Sequence, residues 1–314
     1  MASKQLLESA QIAAAMRGFQ TAFDSTIAQY EDPITQLAMQ IQSSADTEEY
    51  DWIGDVPGLQ AWLDGRPYSK LTAKMMRIVN RQFASGLKVK RTDIINDKLG
   101  MVMPRINSLA QKAAQFPSWM LGQMLLNGHA ALATTIVDWS DGKSWDASYY
   151  FVATHPWGSS TYSNVGTAAL ALASLKAAVV VMTSYVDEEG RYPLGVRPTH
   201  LIVGPSLEWT ARSLVAPVTT IVDTSAIAIP NPYAGMQVIV SPTFVSTYAA
   251  YWCLADLSQP IKPLIQQNRE APRFTSLTDG DLAMDEDIFK YGADGMWGFG
   301  YGEPHYCWGS DGTT

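Results

Sequence analysis

Residues 75–91 read MMRIVNRQFASGLKVKR, and this stretch decides the architecture. The β-branched and aromatic residues predict two strands, 75–83 and 87–91, on either side of a short glycine-containing turn at 84–86. Both strands carry too many charges for a hairpin inside a core. Because a two-stranded ribbon is only marginally stable alone, we expect this one to extend from the body and to lie on another surface.

The predicted hairpin lies in a strongly basic window that runs from Arg66 to Lys112. The window holds eleven of the 22 Lys and Arg residues and only two acids, a net charge of +9, so the chain total of −8 leaves −17 for the rest. Such segregation favours contact with another copy of the chain, and nonspecific contact with nucleic acid is the alternative. The candidate inter-subunit contacts are Arg77, Arg81, Lys88, Lys90 and Arg91.

An acidic cluster near the C-terminus is a candidate docking patch for these basic residues. Calcium binding in an EF-hand loop is disfavoured, because the fifth and sixth loop positions hold Ala283 and Met284 where that loop needs a carboxylate and glycine. We therefore predict no metal site. The candidate docking residues are Asp279, Asp281, Asp285, Glu286 and Asp287.

Bulk properties exclude several classes of protein. A chain of 314 residues with 47% apolar residues is long enough for about two folded domains. The net charge of −8 argues against a general nucleic-acid-binding protein. The most apolar stretch, 168–182, is too short to cross a bilayer and predicts a buried helix, and no apolar leader is visible, so we expect a cytoplasmic protein without a membrane partner. Cys253 and Cys307 lack metal or redox spacing and are expected to be buried and reduced.

Catalytic motifs are missing from the sequence, so we predict neither enzymatic activity nor a cofactor. The chain has no phosphate-binding loop, nucleophile elbow or HExxH zinc motif. Among the four histidines, His155 in the sequence His-Pro-Trp is the best enzyme candidate. A hydrolase centred on His155 is therefore the alternative from another class, although no carboxylate partner is recognisable.

Hydrophobic periodicity predicts an α+β chain. An apolar stripe at spacings of three and four residues predicts a helix over 2–30. A second helix is expected from Pro104 to Asn127, kinked or split at Pro117. Further along we predict a helix over 167–185 and a shorter one to 214, strands at 199–203, 236–240 and 251–254, and three short tail strands, 261–266, 273–277 and 288–291, separated by glycine-rich turns.

The order of these features resembles a known family of structural proteins. Several short motifs carry the resemblance, and they run in order from about residue 50 to 301. They are Tyr50-Asp51-Trp52-Ile53-Gly54 with Pro57 and Trp62, Arg91-Thr92-Asp93-Ile94 with Asp97 and Gly100, Pro117, His155-Pro156, Asn231-Pro232, Pro260-Ile261-Lys262-Pro263-Leu264-Ile265 with Arg269 and Phe274, and Tyr291-Gly292 with Gly298-Phe299-Gly300. The chain thus resembles the Hong Kong 97-type major capsid proteins of tailed phages and, more closely, the Mu-like prophage major head subunits.

The resemblance implies a division of the chain into parts. Residues 1–53 would be an N-terminal arm, and 54–98 an extended β-hairpin called the E-loop. Residues 99–164 would form a peripheral domain around a long spine helix, 165–260 an axial α/β domain, and 261–314 the strands that return to the peripheral domain. No motif transfers the lysine–asparagine crosslink of some family members to this chain, so none is predicted.

The resemblance also implies a function. The chain would be a major capsid protein that assembles as pentamers and hexamers into an icosahedral shell around double-stranded DNA. An encapsulin-like nanocompartment shell of the same fold is the alternative. The implied partners are further copies of the chain, a portal, a scaffold or decoration protein, and DNA bound without sequence specificity. The expected location is the virion capsid, after assembly in the host cytoplasm.

Overall fold

A computed structural model describes residues 2–53, 73–90, 99–130, 140, 142–217, 221–222, 228–277 and 288–313. The described part contains four α-helices: α1 (Ala2–Ala28), α2 (Leu99–Asn127), α3 (Leu172–Thr183) and α4 (Glu208–Val215). Its strands are β1 (Ala38–Gln42), β2 (Thr47–Ile53), β3 (Ala73–Val79), β4 (Arg81–Lys90), β5 (His155–Trp157), β6 (Ser160–Tyr162), β7 (Val165–Gly166), β8 (His200–Val203), β9 (Ile221–Val222), β10 (Ala228–Ile229), β11 (Gln237–Val240), β12 (Trp252–Ala255), β13 (Leu264–Leu277), β14 (Ile288–Tyr301) and β15 (Cys307–Ser310).

Two sheets organise the described residues. The first sheet has the order β1-β13-β14-β4, with β1 parallel to β13 and the other neighbours antiparallel. The second has the order β11-β8-β12-β15-β7. Strand β15 comes from the C-terminal segment, yet it pairs with β12, so the end of the chain joins the sheet built by residues 165–260. The domain boundaries given above remain predictions.

Helix α1 packs within its own subunit, along α2 and the first sheet. Phe19 and Phe23 of the predicted stripe are fully buried. Phe19 joins a cluster with Ile106 of α2 and Tyr291 of β14. The apolar residues that recur with a period of about 3.6 thus form one face of α1, and this face packs against other elements of the same chain.

Helix α2 starts earlier than predicted and runs through both of its prolines. It begins at Leu99 instead of Pro104, and Pro117 does not split it. Proline removes one backbone donor, but the residues around each proline are held by tertiary contacts. Val102, before the first proline, and Leu121, after the second, are both buried in the core.

The predicted hairpin at 75–91 is wrong in its pairing. Strand β3 pairs with β2, and β4 is one continuous strand that pairs with β14 along its length, so the turn expected at 84–86 does not exist. The chain changes partner at Asn80 instead, where the buried side-chain amide donates to Ser43 Oγ at 2.6 Å and to the Ala45 carbonyl at 2.7 Å. Gly86 serves close approach between strands, because a Cβ there would lie 3.1 Å from the Tyr291 carbonyl oxygen.

The tail prediction is wrong in two places: pieces 261–266 and 273–277 contribute to one fourteen-residue strand, β13, and piece 288–291 is only the start of the fourteen-residue strand β14. The predicted turn that contains Gly280 lies outside the described residues. The glycines between residues 292 and 300 lie inside β14 and not in turns. They leave room for neighbouring side chains. A Cβ on Gly298 would lie 2.4 Å from Gln267 Oε1, and one on Gly300 would lie 2.3 Å from Ile78 Cδ1.

The apolar stretch 168–182 is buried on one side only. Leu175 and Met182 of α3 are fully buried, whereas Val180 is 65% exposed. None of the helices in the described ranges combines the length and apolarity needed to cross a membrane.

Candidate assembly surfaces

Strand β4 presents part of the basic set at the edge of the first sheet. In the described sheet order β4 is the terminal strand, and Arg81, Lys88 and Lys90 on it are exposed. Arg77 is exposed on β3, with its guanidinium 3.5 Å from Thr47 Oγ1. Edge strands with charged side chains are protected against nonspecific pairing and open to specific partners.

The sheet register adds one basic residue that the sequence did not single out. Lys290 of β14 lies directly opposite Lys88 of β4, and Lys90 lies opposite Ile288. Since side chains at alternate positions of a strand share a face, Lys88, Lys90 and Lys290 stand on one side of the sheet. Like charges directly opposite each other are destabilising unless a countercharge is near. Only the register could reveal this pair, because its members are distant in sequence.

The remaining predicted contact residues lie outside the described residues. These are Arg91 and all five acids of the docking patch, Asp279, Asp281, Asp285, Glu286 and Asp287. The acids fall in the sequence between the end of β13 and the start of β14. Their pairing with the basic residues stays a prediction.

An apolar cavity of about 240 Å³ lies beside the basic edge strand. Its lining comes from β4, α2, β13 and β14 and includes Phe83, Phe116 and Trp297. The Phe83 and Phe116 ring centroids are 4.5 Å apart, and those of Phe116 and Trp297 are 5.5 Å apart. Positive charge next to an aromatic hollow is an arrangement that orients a protein partner and then buries apolar area against it.

His155, the enzyme candidate, is enclosed and engaged on both ring nitrogens. Its Nδ1 lies 2.6 Å from Asp146 Oδ2, and its Nε2 lies 3.2 Å from the carbonyl oxygen of Tyr150, which can only accept a hydrogen bond. Both side chains are essentially inaccessible to solvent. These two contacts hold the 142–166 region together, and they leave neither ring nitrogen free to take a proton from a substrate.

The electrostatics of Asp146 agree with that arrangement. Burial opposes the charge on this carboxylate, but the hydrogen bond and attraction of His155, together with the backbone N–H of Ser148, outweigh burial, so the pKa of Asp146 lies below its ordinary value. Sequence reasoning missed Asp146 as the partner of His155. The available signal was the short turn in which Asp146 Oδ1 accepts from the Ser148 N–H at 3.0 Å.

Neighbouring aromatic and acidic groups extend this enclosed cluster. His305 Nδ1 lies 2.5 Å from Glu303 Oε1, and Trp145 donates to Glu303 Oε2 at 3.2 Å. His305 stacks on Tyr162 with 3.7 Å between ring centroids. Within the described ranges, His, Cys, Asp and Glu side chains form no group of three or more that could hold a metal ion.

Comparison with known proteins places the chain in a family. The family model described as the Mu-like prophage major head subunit gpT matches residues 12–169, 162–244 and 226–313. The FluMu major head subunit of a Mu-like prophage in Haemophilus influenzae is 23% identical over 287 residues, which are 91% of this chain and 68% of that protein.

Solved structures show the fold. The procapsid protein of bacteriophage JBD30 is 23% identical, with a TM-score of 0.54 over 96% of this chain and 75% of that chain. The virus-like particle of Pyrococcus furiosus is 10% identical, with a TM-score of 0.50 over 94% of this chain and 98% of that chain. The fold is therefore the Hong Kong 97-type major capsid fold, and the chain belongs to the family of Mu-like prophage major head subunits.

Proposed function

We propose that this head subunit assembles as pentamers and hexamers into an icosahedral shell that encloses double-stranded DNA without reading its sequence. The observation that carries the proposal is the family match along nearly the whole chain. It is supported by a body that has both an exposed basic edge strand and an adjacent aromatic hollow. The net charge of −8 limits adhesion of packaged DNA to the wall of the shell.

The basic residues of the β4 edge contact a neighbouring subunit in this proposal. Individual exposed ion pairs contribute only about 0–1 kcal/mol each, so they set orientation and reject wrong contacts. Apolar area supplies the cohesion, within subunit interfaces of roughly 2,000 Å² or more. The 54–98 segment would make this contact as an E-loop, with the β2–β3 ribbon at its base.

Other partners follow from the role of a head subunit. A portal and a scaffold or decoration protein would join the shell, which would be assembled in the host cytoplasm and persist as the virion capsid. The chain itself would perform no catalysis. An encapsulin-like compartment is the alternative, and likeness to the virus-like particle of Pyrococcus furiosus at 10% identity indicates the fold alone.

Expression of the chain by itself tests this proposal. Purified material should contain closed particles by electron microscopy, and the reconstruction should resolve fivefold and sixfold clusters. Nuclease-protected DNA in heads from an induced lysogen would support the phage role. A co-purifying enzyme enclosed in the particles, without DNA, would favour the compartment. Small open oligomers at every salt concentration would contradict both.

A further inference from the structure

Trp209 has the highest exposure among the large hydrophobic side chains of the described part. It stands in the first turn of α4 and is 85% exposed, whereas Trp157, Trp252, Trp297 and Trp308 are each 9% exposed or less. Tryptophan on a protein surface is typical of binding hot spots, because its large flat ring loses much water on contact. A fully formed helix that presents its tryptophan to solvent is therefore a candidate interaction surface.

A cavity that could receive such a side chain lies in the same part of the fold. It measures about 590 Å³ and is bordered by Val179 and Thr183 of α3, the segment before β8, and the segment before β11. Pro198, Tyr233 and Met236 give it apolar walls. The volume is ample for an indole ring.

Topology puts the tryptophan and the cavity at opposite ends of the second sheet. Strands β8 and β11 are parallel neighbours, with His200 opposite Gln237 and Val203 opposite Val240. The cavity borders the beginnings of both strands, whereas α4 follows the end of β8. The far end of α4 returns toward the cavity side, where the Asn231 amide donates to the Leu214 carbonyl at 2.7 Å.

The charges beside Trp209 and beside the cavity are of opposite sign, which favours contact between them. Glu208, beside Trp209, carries a carboxylate that is 41% exposed and lies 2.8 Å from Arg212 Nε. Arg197 is exposed and borders the cavity. Because Glu208 precedes Trp209 in the chain, its carboxylate would approach the rim that bears Arg197 if the tryptophan of one copy entered the cavity of the next.

We propose that Trp209 of one subunit inserts into the cavity between α3 and the 232–236 segment of the adjacent subunit. The occupant is a second copy of this chain. Two different surfaces at opposite ends of one unit form a head-to-tail contact, and such contacts close into rings when the rotation permits. The inference rests on the proposed shell, and it assigns the anchor that joins subunits within one ring.

Assembly of variants tests the insertion, with the wild-type chain in the same buffer as reference. Trp209→Ala should leave the melting temperature of the monomer unchanged and raise the critical concentration for assembly at least about 30-fold. Ala234→Trp, which fills the cavity from its exposed border, should do the same, and the double variant should be no worse than either single one. Trp209→Phe and Ala234→Ser are the conservative controls and should assemble nearly as the wild type does.

Crosslinking gives a second readout that keeps the anchor in place. Because both native cysteines are buried, Glu208→Cys with Arg197→Cys should give a disulfide ladder on mild oxidation, ending at a closed ring, while each single variant gives none. Normal assembly of Trp209→Ala, or no ladder from assembled double-cysteine particles, would overturn the insertion. Failure of the wild type to form particles would instead overturn the proposed function.

Discussion

Ile78 of β3 lies directly over Gly300 of β14, so close that a Cβ on the glycine would fall 2.3 Å from the isoleucine Cδ1 atom. Ile78 is only 3% exposed. This contact seats the β2–β3 ribbon on the first sheet, although the two strands are not hydrogen-bonded neighbours. The base of the ribbon therefore packs against the body because Gly300 has no side chain and leaves room for Ile78.

Substitution of Gly300 tests that anchor. Gly300→Ala should lower the free energy of unfolding by about 1–3 kcal/mol, because the added methyl group overpacks the contact with Ile78. Denaturant unfolding of the unassembled chain measures the change. Gly18→Ala is the matched control: it lies inside α1 with its nearest Cβ neighbour 3.7 Å away, and it should raise stability by about 0.5–1 kcal/mol. Equal effects of both substitutions would show that Gly300 is not closely covered.

Removal of the charge at Asp146 tests the enclosed pair with His155. Asp146→Asn should lower the free energy of unfolding by about 3 kcal/mol near neutral pH, because the buried pair with His155 loses its charged carboxylate. Asp294→Asn is the control, since its partner Arg273 is 60% exposed and an exposed pair contributes about 0–1 kcal/mol. Similar losses in the two variants would contradict the structural role of the buried pair.

The lowered pKa of Asp146 also fixes the sign of its pH dependence. A carboxylate whose folded pKa lies below its unfolded value stabilises the protein above the unfolded value, about 3.9, and this contribution is lost as pH falls through the folded pKa. The stability difference between wild type and Asp146→Asn should therefore shrink below about pH 4. If the stability difference between the two proteins stays constant down to pH 2, ionisation of Asp146 does not cause it.

His129 should make the subunit sensitive to mild acid. Burial lowers its pKa to about 4, and it packs on Phe151 with 4.5 Å between ring centroids. Between about pH 6.5 and the folded pKa, only the unfolded chain takes up this proton. The free energy of unfolding therefore falls by roughly 3 kcal/mol as the pH is lowered across that window. His129→Gln should flatten the slope of stability against pH there. An unchanged slope would mean that this histidine titrates normally.

Local features of the fold were predictable from sequence, and strand partners were not. The stripe containing Phe19 and Phe23 gave α1 correctly, because a helical period depends only on neighbouring residues. Strand β4 pairs with β14, which lies about two hundred residues further along the chain. The sequence of residues 75–91 contains no feature that predicts this partner. A glycine such as Gly86 predicts a turn, whereas in the structure its missing side chain permits close contact between strands.

The candidate assembly surface likewise has features that the local sequence predicts and others that depend on the fold. Exposure of Arg81, Lys88 and Lys90 follows from their charge, and the sequence predicted it. The opposition of Lys88 and Lys290 depends on register, and the aromatic hollow lined by Phe83, Phe116 and Trp297 depends on the packing of α2 over three strands. Likewise, the sequence singles out His155, but its structural role depends on the contact with Asp146, which only the fold brings close.

Charge reversal on β4 tests the central claim, that the basic edge of one subunit contacts another, most directly. Arg81, Lys88 and Lys90 changed together to Glu are compared with the control reversal of Arg17, Lys176 and Arg191, which are exposed elsewhere. Both triple variants change the net charge equally. Analytical ultracentrifugation at several salt concentrations, with circular dichroism of the monomer, measures assembly and folding. The β4 variant should remain a folded, unassembled subunit while the control forms particles; normal particles from the β4 variant would contradict the claim.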